Sequence, residues 1–161
     1  MTSAGAGSAP VDRRRSTLTG IALGVALMAA VDEVVFHQLL SWHHFYDRAT
    51  LDIALLSDGL LQTVYLVLLV AGLFSFAELR RRGTLARRSA GSAFVLGLGA
   101  FQLFDGVVDH KLLRVHQVRY EVDDLLPYDL AWNGAGLALL LLGAVLTWRS
   151  RDEGRPADRG R

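Results

Sequence analysis

Two carboxylates and three imidazoles crowd one stretch of this chain: Asp32, Glu33, His37, His43 and His44. A second stretch supplies Asp105, Asp109, His110 and His116. Imidazole combined with carboxylate is a donor set for zinc, copper(II), iron or manganese. A carboxylate can also orient a ligating histidine from behind and fix its tautomer. The chain has no cysteine, which excludes disulfides, thiolate sites and cysteine nucleophiles. Its only methionines are Met1 and Met28, too few for a thioether-rich Cu(I) site. No HExxH spacing of the zincin type is present.

The two stretches are related. Residues 32–43 read DEVVFHQLLSWH and residues 105–116 read DGVVDHKLLRVH, identical at seven of twelve positions. A weaker match pairs Asp58 and Gln62 with Asp129 and Asn133, each at i, i+4. The offsets are 73 and 71 residues. An internal duplication follows, with one helical hairpin per copy. The best ligand candidates are the histidines kept in both copies: His37, His43, His110 and His116. Asp32 and Asp105 are the kept acids, as ligands or orienters. Glu33, Asp109, Asp58, Gln62, Asp129 and Asn133 form the expected supporting polar core. His44 has no histidine counterpart, since Gln117 takes its place.

These residues need elements to carry them, and the apolar residues supply four. Hydrophobic residues make up 52% of the chain and gather into blocks near 18–40, 53–79, 89–113 and 126–148. Each block approaches the ~20 residues that cross a ~30 Å hydrocarbon core. The expected architecture is all-α, an integral membrane four-helix bundle built from two parallel-repeat helical hairpins. Repeat one covers about 18–79 and repeat two about 89–148, within a membrane domain at 17–149. Residues 1–16 and 150–161 are expected to be flexible cytoplasmic tails. The first apolar block is too long for a cleaved signal, and it carries Asp32 and Glu33.

Orientation follows the arginines. Of 17 basic residues, 13 precede span one, fill the loop after span two, or follow span four. Only Arg48, Lys111, Arg114 and Arg119 fall on the other side. The positive-inside rule makes the arginine-rich side cytoplasmic, with both termini there. All five histidines and eleven of sixteen acids then lie in the outer half. Basic loop 80–88 reads first as this topology signal, with anionic lipid contact as the alternative.

An ionisable residue at membrane depth costs on the order of 3 kcal/mol, so these groups must turn inward. On a continuous α-helix at ~100° per residue, Asp32, Glu33, His37, His43 and His44 share an arc of about 140°. This supposes that the helix runs on to His43, and likewise to His116. Parallel repeats related by an axis along the membrane normal would face the two stretches toward each other. Gly20 and Gly24 form a GxxxG pattern that permits close helix approach.

Four readings follow. The first is a transition-metal site near the outer face. The second is haem held by His37 and His110. The third is a metal-dependent membrane hydrolase, with Asp58 or Asp129 as base and Ser41, Ser57 and Tyr65 as auxiliary groups. The fourth is a scaffold whose polar groups are interhelical glue, with Trp42 and the outer histidines as interfacial anchors. Lipid is the expected surrounding partner, other membrane proteins are further partners, and nothing points to nucleic acid.

The segment DEVVFHQLLSWHH resembles the hallmark of a bacterial family of predicted membrane proteins, domain of unknown function 2243. FDGVVDHKLLRVHQVR resembles its second hallmark and YDLAWNGAG its last span. The resemblance covers almost the whole chain apart from the tails. It implies a multi-span membrane protein with no assigned activity. Glu33 stands where the family has glycine, and Gln117 where it has a second histidine. The matched positions are Asp32, His37, His43, Asp105, Asp109, His110 and His116. The family is loosely similar to membrane factors that deliver copper to respiratory oxidases, which favours copper or zinc and a role in metal handling or oxidase assembly.

Overall fold

The computed structural model describes residues 10–152. Four helices carry the chain: α1 (Arg13–Val31), α2 (Leu51–Arg81), α3 (Arg87–Phe104) and α4 (Leu126–Arg149). α1 continues into a π-helical segment, Asp32–Leu39, and α3 into another, Asp105–Leu113. No strand occurs among the described residues. All four spans are long and apolar enough to cross a membrane. Their outward faces carry large apolar side chains, among them Leu60, Val64, Val67 and Phe74 of α2 and Leu137 and Leu141 of α4. In water such surface would be costly to expose, whereas lipid accepts it.

α1 begins earlier than the sequence suggests, so residues 13–16 are helix rather than tail. Asp12 explains this. Its carboxylate accepts from the Arg15 backbone N–H at 2.9 Å, a helix cap, and its own N–H donates to Thr84 O at 2.7 Å. At the other end Ser150–Asp152 of the expected tail form a short 3-10 turn, and residues 1–9 and 153–161 lie outside the described residues.

α1 and α3 form the central pair. α2 packs on α1 and α4 packs on α3, while α2 and α4 do not touch among the described residues. The bundle is therefore more open than four converging stripes require. Small residues set the approach: Ala26, Ala29, Ala90 and Ala93 are buried, with Gly20, Gly24 and Gly97 between them. Without water to drive apolar burial, helices in lipid associate through such close backbone contact. A Cβ on Gly24 would lie 3.0 Å from the Gly97 Cα, and one on Gly97 would lie 3.1 Å from the Gly24 Cα. The lateral contacts follow a matching rule. Gly72 of α2 receives Leu23, and Gly143 of α4 receives Leu96.

The four-helix array thus has two ends. One gathers Arg13, the α2–α3 turn and Arg149. The other gathers both π segments and the irregular stretches 40–50 and 114–125. The candidate chemistry is confined to that second end.

Candidate metal centre

The π segments decide which side chains meet. In an α-helix, residues five apart lie about 140° apart around the axis. Hydrogen bonding from i to i+5 widens the turn and brings such residues over one another. Asp32 and His37 are five apart, and so are Asp105 and His110. His37 Nε2 lies 3.5 Å from Asp32 Oδ2, and His110 Nε2 lies 3.1 Å from Asp105 Oδ2. Glu33 and Gln38 have the same spacing, and the amide donates to the carboxylate at 2.8 Å.

Neither helix reaches its second histidine. The π segments stop at Leu39 and Leu113, correcting the expectation of continuous helix to His43 and His116. Ser41 and Arg114 turn the chain with φ of 50° and 52°. This left-handed conformation is costly for residues other than glycine and redirects the backbone. The outgoing stretches then cross. Asp47 N–H donates to Val115 O at 3.0 Å, and Tyr120 N–H donates to Trp42 O at 3.3 Å. His43 Nδ1 donates to Val118 O at 2.8 Å, while His116 Nδ1 donates to Phe45 O at 2.9 Å. Each of these bonds has its reciprocal 73 residues away. The carbonyls of Phe45 and Val118 are site components that side-chain types cannot reveal.

A carbonyl only accepts, so both loop histidines carry their proton on Nδ1. Their Nε2 lone pairs are left pointing into the bundle. His43 and His116 stack with ring centroids 4.6 Å apart and planes 7° from parallel. His37 meets His43 at 4.6 Å, and His110 meets His116 at 4.6 Å. Donor atoms of His43, His110 and His116 lie within 4.8 Å of one another, as do those of Asp32, His37 and His43. Asp32 and Asp105 reach across both sets, at 3.8 Å from His43 Nε2 and 3.4 Å from His116 Nε2.

The burial is nearly complete. His37, His43, His110, His116, Asp32 and Asp105 are all at most 3% exposed. The Nε2 atoms of all four histidines, with Asp32 Oδ1 and Asp105 Oδ2, make no well-aligned hydrogen bond, although carboxylate oxygens lie 3.1 to 3.8 Å from the Nε2 atoms. Burial, reinforced by His116, His37 and His110, pushes the His43 imidazole down to about 2, which keeps it neutral. Neutral imidazole is the form that ligates. A polar recess of about 340 Å³ opens beside His43, lined by His44, Asp47, Arg119 and Glu121 among others, and offers a way in from the aqueous side.

The supporting residues differ between the halves. Asp58 is buried and ties three groups together: Phe45 N–H at 2.7 Å, His37 Nδ1 at 3.1 Å and His44 Nδ1 at 2.6 Å. Glu33 Oε2 approaches His37 Nδ1 at 2.8 Å. Asp109 is buried and its backbone carbonyl accepts from Val115 N–H at 3.0 Å. Gln62, Asp129 and Asn133 stay outside the cluster. Gln62 is exposed, one turn along a helix that keeps only a narrow stripe against α1. Asp129 is held by Lys111 at 2.5 Å instead, and Asn133 lies against Gly106, where a Cβ would also meet Trp132 at 2.7 Å. α4 reaches α3 but not α1, so its polar stripe stops short.

Asp58→Ala would leave Phe45 N–H, His37 Nδ1 and His44 Nδ1 without their shared acceptor. We expect the variant to hold metal ~10- to 100-fold more weakly, the usual cost of losing such an orienting group. Competition with a chelator of known affinity measures this.

No curated protein and no solved structure matches the chain. Residues 19–150 match the family described as "Predicted membrane protein (DUF2243)". The match takes in all four spans, both π segments and every member of the cluster, and the chain belongs to this family, the predicted membrane proteins of domain of unknown function 2243.

Proposed function

We propose that this membrane protein binds a transition-metal ion, copper or zinc, through His37, His43, His110 and His116, with Asp32 and Asp105 as supporting carboxylates. One observation carries the reading. Buried imidazole nitrogens and a carboxylate oxygen gather in two sets of three that share His43, each within 4.8 Å, and several of these atoms make no well-aligned hydrogen bond. Leaving a buried polar atom unsatisfied costs ~1–3 kcal/mol, and more when it is charged. A cation held by either set offsets that cost for the atoms that ligate it. Asp32 and Asp105 bring buried negative charge to the cluster, which a bound cation offsets.

Haem fits this geometry poorly. Bis-histidine ligation by His37 and His110 needs open space beside each ring for a porphyrin, and here each ring packs at 4.6 Å against a further imidazole. A pure hydrogen-bonded core would align its donors and acceptors, whereas the Nε2 atoms here meet carboxylates without well-aligned hydrogen bonds.

The near-symmetric halves support an internal duplication as the origin of the centre. The arginine distribution supports an outward-facing site with both termini in the cytoplasm. We further propose metal handling at that face, of the kind that respiratory oxidase assembly requires, with the recess beside His43 as the entry.

Elemental analysis of the full chain, purified in mild detergent without chelator, tests the reading. We expect about one copper or zinc per chain, or uptake of one on reconstitution. A preparation that contains neither metal and takes up neither would overturn it.

A further inference from the structure

At the opposite end of the bundle lies a cleft with a different chemistry. α2 and α3 both flank α1 near the arginine-rich end, with no close backbone approach between them among the described residues. The gap between them is a cavity of about 510 Å³. Its walls are apolar, with Leu23 from α1, Phe76 from α2, and Leu85 and Phe94 from the α3 side. Arg80 and Arg87 complete the lining.

The arginines of this region are not equivalent. Arg81 and Arg82 both pair with Glu78, Arg81 at 2.7 Å. Arg80 and Arg87 have no acid partner among the described residues, and both are exposed. Arg87 also opens α3, whose N-terminus has no side-chain cap. Two unpaired guanidinium groups and the positive end of a helix dipole therefore converge above an apolar cleft. The adjoining helix leaves room as well, since a Cβ at Gly91 would meet nothing within 4 Å.

We propose that this cleft is a binding site for an anionic phospholipid, with the phosphate held by Arg80 and Arg87 and an acyl chain lying between α2 and α3. Charge selects the headgroup. A zwitterionic lipid brings its own cation and gains less from two arginines, whereas phosphatidylglycerol presents an uncompensated phosphate. The apolar walls select a lipid over a free anion, because inorganic phosphate would leave Leu23, Phe76 and Phe94 uncovered. The site is independent of the metal centre at the other end.

Native mass spectrometry of the full chain in neutral detergent tests this, with phosphatidylglycerol, phosphatidylcholine and inorganic phosphate as probes. Phosphatidylglycerol should be retained at least tenfold better than phosphatidylcholine on the parent protein, a comparison that needs no variant. Arg80→Gln with Arg87→Gln should erase that preference, while Arg81→Gln with Arg82→Gln should keep it. Gly91→Phe should fill the cleft and lower phosphatidylglycerol retention with both arginines intact. The proposal is overturned by equal retention of the two lipids. Undiminished phosphatidylglycerol binding in the Arg80/Arg87 variant also overturns it, as does inorganic phosphate competing as well as the lipid, which would mark a free-anion site.

Discussion

Replacing His37 and His110 together by alanine is expected to weaken metal retention by about a hundredfold or more while the protein still inserts and keeps its helices. The magnitude follows from position. Orienting residues behind a ligand already cost ~10- to 100-fold when lost, and these two are the proposed ligands themselves. They occupy corresponding places in the two halves, each five residues after its aspartate. Each is buried with its Nε2 turned toward that aspartate, at 3.5 and 3.1 Å. Their removal leaves His43 and His116, whose Nδ1 atoms remain tied to backbone carbonyls, so the apo fold has little reason to collapse. His44→Ala is the comparator. That ring is half-buried, its Nδ1 faces Asp58, and its loss should change retention by less than about threefold, as expected of a group outside the donor set. Metal content equal to the parent in the double variant would remove the centre. A large loss in His44→Ala would move it toward Asp58.

The spans were legible because membrane insertion imposes length and composition directly. Apolar blocks near 53–79 and 126–148 became helices Leu51–Arg81 and Leu126–Arg149. The pairing of Asp32 with Asp105, and of His37 with His110, was readable from their repetition at an offset of 73. The way they meet was not. An α-helical wheel spreads residues five apart around the axis, and only the π segments bring Asp32 over His37. The signal was present in the spacing itself, since Asp–His and Glu–Gln pairs at i, i+5 are what a π turn joins. His43 and His116 reach the cluster from irregular stretches, through carbonyls that any residue type provides. Gln62 and Asn133 illustrate the opposite failure. Their i, i+4 spacing from Asp58 and Asp129 places them on the same face, yet α2 and α4 lie apart, and only the first turns of α2 reach the centre.

Placing valine at Gly24 or Gly97 should destabilise the protein by about 3 kcal/mol, the upper end of ordinary overpacking, and release metal without touching a ligand. The two glycines meet where α1 crosses α3. A Cβ on Gly24 would come within 2.9 Å of Leu98 N, and one on Gly97 within 3.0 Å of Val25 N. These neighbours are backbone and cannot swing aside, so the helices themselves must separate. α1 and α3 lead without a break into the π segments that carry Asp32, His37, Asp105 and His110. Separation at the crossing is therefore transmitted to Asp32, His37 and His110, which sit with His43 and His116 in sets of three within 4.8 Å. Gly59→Val and Gly134→Val are the controls, since a Cβ at either position meets nothing within 4 Å. They should match the parent in thermal unfolding and in metal content. If Gly24→Val behaves like these lipid-facing variants, the close crossing does not position the centre, and the crossed loops with Asp58 would have to hold it alone.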